Sequence, residues 1–240
     1  MARLVRWCAC FDTHGDQLDP DAGRSFQEFT RWFKPTIRIH GGDCWDFRWL
    51  RRSASDEEKA ASVSADFEAG LDFLKWYKPT AFLWGNHDDR LRRLLDSSVG
   101  AQRELAGQWL DRISVALAGV DQKPYCRRRG VLRVGDHSFI HGYGHGENAA
   151  KVAAQVYGNV VMGHVHRIDM VRVAGLEDRY GYVAGCLCNL DMDYVRPNIG
   201  TLKHAHGWVY GVIVNGRVVV WQARRLGNVW VLPSEVRTLS

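Results

Sequence analysis

No apolar run in this 240-residue chain approaches the ~20 residues that a membrane-spanning helix requires. The six cysteines stand at Cys8-Ala9-Cys10, Cys44, Cys126 and Cys186-Leu187-Cys188, so no CxxC pair is available for a thiolate metal site. Pairs one residue apart on a strand make poor disulfides, and all six thiols are read as reduced, which points to the cytoplasm. Arg3 and Arg6 interrupt the first apolar stretch and no cleavage signal follows, so it reads as a strand and not as a secretion signal. Repeats, low-complexity tracts and linkers are missing, and so is a charge of one sign. Lys and Arg number 32 against 27 Asp and Glu, a net +5 that is only mildly basic. With 46% hydrophobic residues, one α/β domain spanning 1–240 is the expected organisation.

What the chain has is five short motifs, each set directly behind a brief apolar run. They are Asp12-Thr13-His14-Gly15-Asp16, Gly42-Asp43-Cys44-Trp45-Asp46, Gly85-Asn86-His87-Asp88-Asp89, His141-Gly142 and Gly163-His164-Val165-His166. The preceding runs are Leu4 to Phe11, Ile37 to Ile39, Ala81 to Trp84, Ser138 to Ile140 and Val160 to Met162. Each is short, apolar and closed by glycine or a polar turn residue, which predicts buried strands. Side chains just beyond the carboxyl ends of such strands converge on the crevice where open α/β sheets bind ligands. Carboxylate, amide and neutral imidazole suit Mn²⁺, Fe²⁺ and Zn²⁺. A carboxylate can bridge two cations ~3.5–4 Å apart, and such a pair clamps the attacking and leaving oxygens of a phosphoryl displacement. Turn residues and satisfied core histidines account for any one motif, but not for the ordered set.

On these five blocks the chain resembles the calcineurin-like metallophosphoesterases, which include protein phosphatases, phosphodiesterases and nucleases. The matched blocks run from Asp12 to His166, and the segment to roughly Arg224 resembles the family's second sheet less specifically. The resemblance implies an α/β fold, a four-layer sandwich of two packed mixed β-sheets flanked by helices. It implies two divalent cations, Mn²⁺ first, with Fe, Zn, Ni or Mg as alternatives. One would be held by Asp12, His14, Asp43 and His166, the other by Asp43, Asn86, His141 and His164, with Asp43 as the bridge. His87 matches the family's catalytic imidazole, and Asp46 the carboxylate that orients it. Protein phosphatases continue the second block as Asp-Arg-Gly and the third as Gly-Asn-His-Glu. Here Asp46 is followed by Phe47-Arg48, and Asp88 replaces the glutamate.

These departures favour hydrolysis of a phosphodiester, in a nucleotide or nucleic acid, by a water that the two cations activate. The alternatives are a phosphomonoesterase acting on a protein or small metabolite, and a catalytically silent nucleic-acid-binding module. Arg90 follows His87 closely enough to reach a phosphate oxygen. Trp45 and Arg48, with Arg51 and Arg52 behind them, are candidate contacts for a base and a polyanionic backbone. His204 and His206 repeat the His-x-His spacing and are candidates for the substrate cleft. No membrane partner is expected, and nothing in the sequence names a protein partner.

Coarser signals place the remaining elements. Ser55 to Glu58 forms a capping box that predicts a helix running to about Tyr77, with Val63, Phe67, Leu71 and Leu74 on one face. Further helices are expected over Asp89 to Leu95, Arg103 to Leu117 and Asn148 to Val156. Short strands follow at Met170 to Ala174, Tyr180 to Gly185, Trp208 to Val214 and Val218 to Ala223, and Asn215-Gly216 signals a hairpin between the last two.

Overall fold

The structure is a computed structural model, and it describes residues 4–51, 53–175, 177–191 and 203–233. In the first sheet β1 (Val5–Cys10), β2 (Ile37–His40), β3 (Ala81–Leu83) and β4 (Asp121–Lys123) run parallel in that order. In the second sheet β5 (Leu132–Val134) pairs with β6 (His137–Ile140), and β6 lies parallel to β7 (Val160–Met162). The antiparallel hairpin of β8 (Ile168–Val173) and β9 (Arg179–Ala184) completes that sheet, with β9 beside β7. The chain then returns to the first sheet, where β10 (Gly207–Val214) pairs with the free side of β1. β11 (Arg217–Leu226) and β12 (Val229–Val231) extend it outward.

Among the described residues, six α-helices cover the outer faces. They are α1 (Pro20–Phe33), α2 (Asp56–Ala60), α3 (Val63–Tyr77), α4 (Asp88–Arg93), α5 (Gly100–Ala116) and α6 (Ala149–Tyr157). Between the sheets, Trp7, Phe11, Ile39 and Leu83 of the first pack against Leu132, Phe139 and Val161 of the second. Phe26, Phe29 and Phe33 of α1 and Phe73 of α3 close one part of the first sheet's outer face, and Phe67, Trp109 and Ile113 close another. Ala150, Ala153 and Ala154 of α6 close the second sheet. The result is the four-layer α/β sandwich that the motif order implied, and among the described residues no helix is long and apolar enough to cross a membrane.

The five apolar runs are all strands, each within two residues of the expected limits. The helix expected from Ser55 to Tyr77 is instead two. The capping box forms as read, but Ala61 is extended and the Ser62 side chain accepts from Ala65 N–H, starting a new helix. A second good cap seven residues after the first, about two turns on, competes with continuation. The Asn215-Gly216 hairpin forms with both residues at positive φ, as its turn type demands. Helix α1 was not foreseen, although Asp19 caps it and Pro20 opens it. Cys8 and Cys10, two apart and therefore on one face of β1, pack in the same aromatic cluster, and all six cysteines are free.

Gly70 lies in the middle of α3, where alanine is ordinarily the more stable residue. Here a Cβ would fall 2.1 Å from the buried indole nitrogen of Trp45. Gly70→Ala should therefore destabilise the protein by about 1–3 kcal/mol in chemical denaturation, the range for overpacking. A stabilised variant would show that the α3–Trp45 contact is looser than the structure has it.

Candidate metal centre

The turns that follow β1, β2 and β7 are held in an uncommon conformation. Asp12, His14, Asp43, His164 and His166 all have φ between 51° and 70°, a left-handed backbone that non-glycine residues adopt only where their surroundings dictate it. The surroundings are explicit. Asp12 N–H donates to the Gly42 carbonyl, and the N–H groups of Thr13 and His14 both donate to that of Asp43, each at 3.0 Å. Asp12 Oδ2 accepts from His164 N–H and Asp43 Oδ1 from His87 N–H, both at 2.8 Å. Gly85 is required where it stands, because a Cβ there would lie 2.0 Å from Asp43 Oδ1. Strain gathered on five residues of one type of chemistry marks a site.

Hydrogen bonds at Nδ1 orient three of the imidazoles. His141 Nδ1 lies 3.0 Å from the Gly41 carbonyl, His14 Nδ1 lies 3.1 Å from Asp46 Oδ1, and His87 Nδ1 lies 2.7 Å from the same oxygen. Because those acceptors fix the proton on Nδ1, each Nε2 faces inward. His14 Nε2 then sits 3.2 Å from His166 Nε2, and His141 Nε2 sits 3.2 Å from Asp43 Oδ2 and 3.0 Å from Asn86 Oδ1. Two nitrogens each ~2.0–2.1 Å from one cation stand that far apart at an angle of about 100°, so the spacing fits a shared ion. Asp43 lies between both groups, with Oδ2 also 4.0 Å from His14 Nε2.

Further evidence of fit is what has no partner. Asp12 Oδ1 and His164 Nε2 are buried without a hydrogen bond, which is uncommon for buried polar atoms. Ligand atoms of Asp43, His141 and His164 converge within 4.8 Å of one another, as do those of His14, Asp43 and His87. A third such group, His14, His166 and Cys188, brings in a thiol that the sequence did not single out. The donor set of carboxylate, amide and imidazole suits divalent cations.

Other residues missed by motif reading support the turns. Both oxygens of Asp66, on α3, accept backbone N–H groups of Asp46 and Phe47 at 3.1 and 2.6 Å. Burial pushes the Asp66 carboxyl up to about 7. An acid on the same stripe as Val63 and Leu74 was the available signal. Asp88 clamps the second and third blocks together, taking Trp45 N–H and Gly85 N–H, and burial likewise raises it to about 7. His40 takes Gly42 N–H on Nδ1 and faces Thr13 Oγ1 with Nε2, and burial lowers it to about 3, so it is neutral.

Several candidates fall elsewhere than expected. Trp45 does not offer a face to a base: it is fully buried, donates to the Phe67 carbonyl and stacks on Phe47 and Phe67. His206 is buried against the Cys188 carbonyl at 2.9 Å and does not line an open cleft. His204, by contrast, is half-buried and packs its ring 5.1 Å from that of His166. Arg48 spans both oxygens of Asp16 at 2.6 and 2.7 Å, and Arg51 pairs with Glu58. The basic loop is thus already neutralised where it is described, and Arg52 and Asp193 lie outside the described residues. Arg90 donates to the Asp46 carbonyl at 3.0 Å, next to His87.

No family model and no curated protein sequence matches the chain. Solved structures do. The single-mutant Vps29 from Entamoeba histolytica is 9% identical with a TM-score of 0.52, over 95% of this chain and 96% of that one. Vacuolar Protein Sorting 29 from Cryptosporidium parvum is 13% identical with a TM-score of 0.51, over 95% of both chains. A metallophosphoesterase from Sphaerobacter thermophilus is 14% identical with a TM-score of 0.50, over 92% of this chain and 88% of that one. The chain has the calcineurin-like metallophosphoesterase fold.

The imidazoles should make cation binding steeply pH-dependent. Burial opposes charge on His14 and His141, but carboxylates outweigh it, Asp46 beside the first and Asp43 beside the second, and raise both to about 9. In chelator-treated protein both rings are therefore protonated below that pH, and a cation has to displace the protons. Mn²⁺ affinity should rise from about pH 6 to about pH 9, with proton release visible in calorimetry across buffers of different ionisation enthalpy. A flat affinity over that range would remove these imidazoles from the ligand set.

Proposed function

We propose that this protein is a binuclear metal-dependent phosphoesterase that acts on phosphodiesters. The observation that carries the reading is the buried Asp43 carboxylate lying between His14 on one side and His141 on the other, and belonging to two of the groups of converging ligand atoms. Asp12, His14, Asp43 and His166 would hold one cation, and Asp43, Asn86, His141 and His164 the other. When bound, the pair supplies Lewis acidity to the phosphoryl group and acidifies water at the site.

The chain's own groups do the rest. His87 is half-buried, with Nδ1 committed to Asp46 and Nε2 3.9 Å from Asp43 Oδ2. Burial lowers its basicity against the pull of Asp43 and Asp46, which leaves Nε2 a bare acceptor at neutral pH. The negative charge of a bound phosphate favours the protonated imidazole, so Nε2 takes a proton from solvent and donates it to the leaving oxygen as the P–O bond breaks. Asp46 positions this ring and the His14 ring through one shared oxygen, so the imidazole at the metal and the imidazole at the leaving group move together. Arg90, anchored on the Asp46 carbonyl, sets a cation where phosphate oxygens would sit. Arg48 is committed to Asp16 and so adds no further charge next to His87, which suits a singly charged diester better than a doubly charged monoester.

Two variants separate binding from chemistry. Asp43→Asn should lose both cations by elemental analysis, whereas Asp12→Asn should weaken mainly one. Two tightly held metals in Asp43→Asn would overturn the bridging role. His87→Gln should keep its metal and lower kcat by ~10²–10⁴ on bis(p-nitrophenyl) phosphate in Mn²⁺. On the wild type that diester should be cleaved with higher kcat/KM than p-nitrophenyl phosphate, and a clear preference for the monoester would end the diesterase reading.

A further inference from the structure

A cavity of about 330 Å³ opens beside the second imidazole group, within the size range of small-molecule sites. Its floor is made by Ile140 and Met162, the last residues of β6 and β7. His141 follows the first directly, and His164 lies two residues beyond the second, so floor and metal centre share the same two strands. His145 joins the two spaces: it lines the cavity, and its ring centroid is 4.4 Å from that of His164. Along the wall α6 presents Ala153, with Val152 and Val156 left 54% and 66% exposed on one face of the helix. Apolar side chains lining an open cavity next to a reaction centre ask for an apolar occupant.

The polar lining residues decide what kind. His145, Asn148, Arg127 and Arg128 are all solvent-exposed, so they sit at the rim. Deeper in, the lining is Ile140, Ala149, Ala153 and Met162 with the rings of Tyr143 and Tyr157, and the Tyr157 hydroxyl is taken up by the Arg127 carbonyl at 3.0 Å. A nucleobase would leave the polar edge of its ring facing Ile140, Met162 and Ala153, which is unfavourable for a desolvated donor or acceptor. An alkyl chain has no such edge. Arg127 and Arg128, the first lying over the Tyr143 ring at 5.8 Å, place positive charge at the mouth, complementary to an anionic head group.

We propose that this cavity binds the alkyl or acyl chain of an amphiphilic phosphodiester whose phosphate faces the metal centre; the proposal rests on the phosphoesterase reading and names its substrate class. The phosphate would be held at the strand ends and the chain would run over His145 into the trough between β6, β7 and α6. Affinity then comes from burial of methylenes, which are each favourable in transfer from water.

The test varies chain length alone. kcat/KM is measured in Mn²⁺ for p-nitrophenyl n-alkyl phosphates from methyl to decyl, each below its critical micelle concentration. It should rise roughly fourfold per methylene over the first few, as burial of each methylene implies, and level off when the cavity is full. In parallel, calorimetry follows binding of n-alkyl(methyl)phosphinate anions, in which both carbons are bonded directly to phosphorus and no ester bond can be hydrolysed. The double variant Val152→Asp/Val156→Asp, at two exposed positions, should flatten both length dependences while its thermal melt stays that of the wild type. If phosphinate binding strengthens with length and no ester is hydrolysed, the phosphoesterase reading fails and the cavity assignment stands. Hydrolysis and binding that ignore chain length, or a thymidine p-nitrophenyl phosphate that outperforms the decyl ester, would overturn the proposal.

Discussion

Three carboxylates, Asp12, Asp43 and Asp46, are packed together at 2% exposure or less, and the architecture of the site follows from keeping them charged there. Burying an isolated carboxylate is prohibitive, so each must be met by hydrogen bonds and opposite charge. Burial pushes all three up, but the surrounding imidazoles outweigh it and hold each below the usual carboxylate range: His166 for Asp12, His141 for Asp43, His14 and His87 for Asp46. Backbone N–H groups of His164 and His87 supply further donors. At His164 the donor is aimed by a left-handed turn, and at His87 by the start of α4. Strain, burial and convergence are thus one constraint seen three ways.

The two sheets divide the work of satisfying it. Asp12, Asp43 and Asn86 stand at the ends of β1, β2 and β3, and His141, His164 and His166 at the ends of β6 and β7. The contact between sheets, with Trp7 edge-on to Phe139 at 5.1 Å, therefore sets the distance between acids and imidazoles. Of the five motifs' imidazoles, His14 and His87 come from the acid-bearing sheet, and both are tied to Asp46. Side chains far from any phosphate, such as Phe139, belong to the geometry of the site as much as its ligands do.

Surface chemistry separates from site chemistry. Arginines that look available as a run of residues are neutralised pairwise once folded, Arg48 by Asp16 and Arg51 by Glu58. Apolar side chains that look like core as a helical stripe, Val152 and Val156, remain open to solvent beside the imidazoles. Neither outcome is readable along the chain, because a charge pair is decided by neighbours in space and an exposed apolar face by what fails to cover it.

Strand positions and the identities of the converging residues were legible in the sequence, since a short apolar run and a terminating glycine are local signals and the converging side chains follow strand ends. The imidazole orientations followed less fully: Asp46 beside His87 was expected, but its hold on His14 was not. Asp66 and Asp88 were invisible as supports because their partners are backbone groups that carry no residue identity. Trp45 was misjudged because proximity to a catalytic block along the chain says nothing of which way an indole turns, and Gly70 opens the space that takes it inward. The helix break at Ala61 turned on two serine caps competing about two turns apart, a contest between comparable local energies. Sequence alone determined which chemical groups end which strands, because hydrophobic periodicity and turn residues act over a few positions. Tertiary structure alone decided their distances, their protonation and the cavity beside them, because those depend on how two sheets pack across residues more than a hundred positions apart.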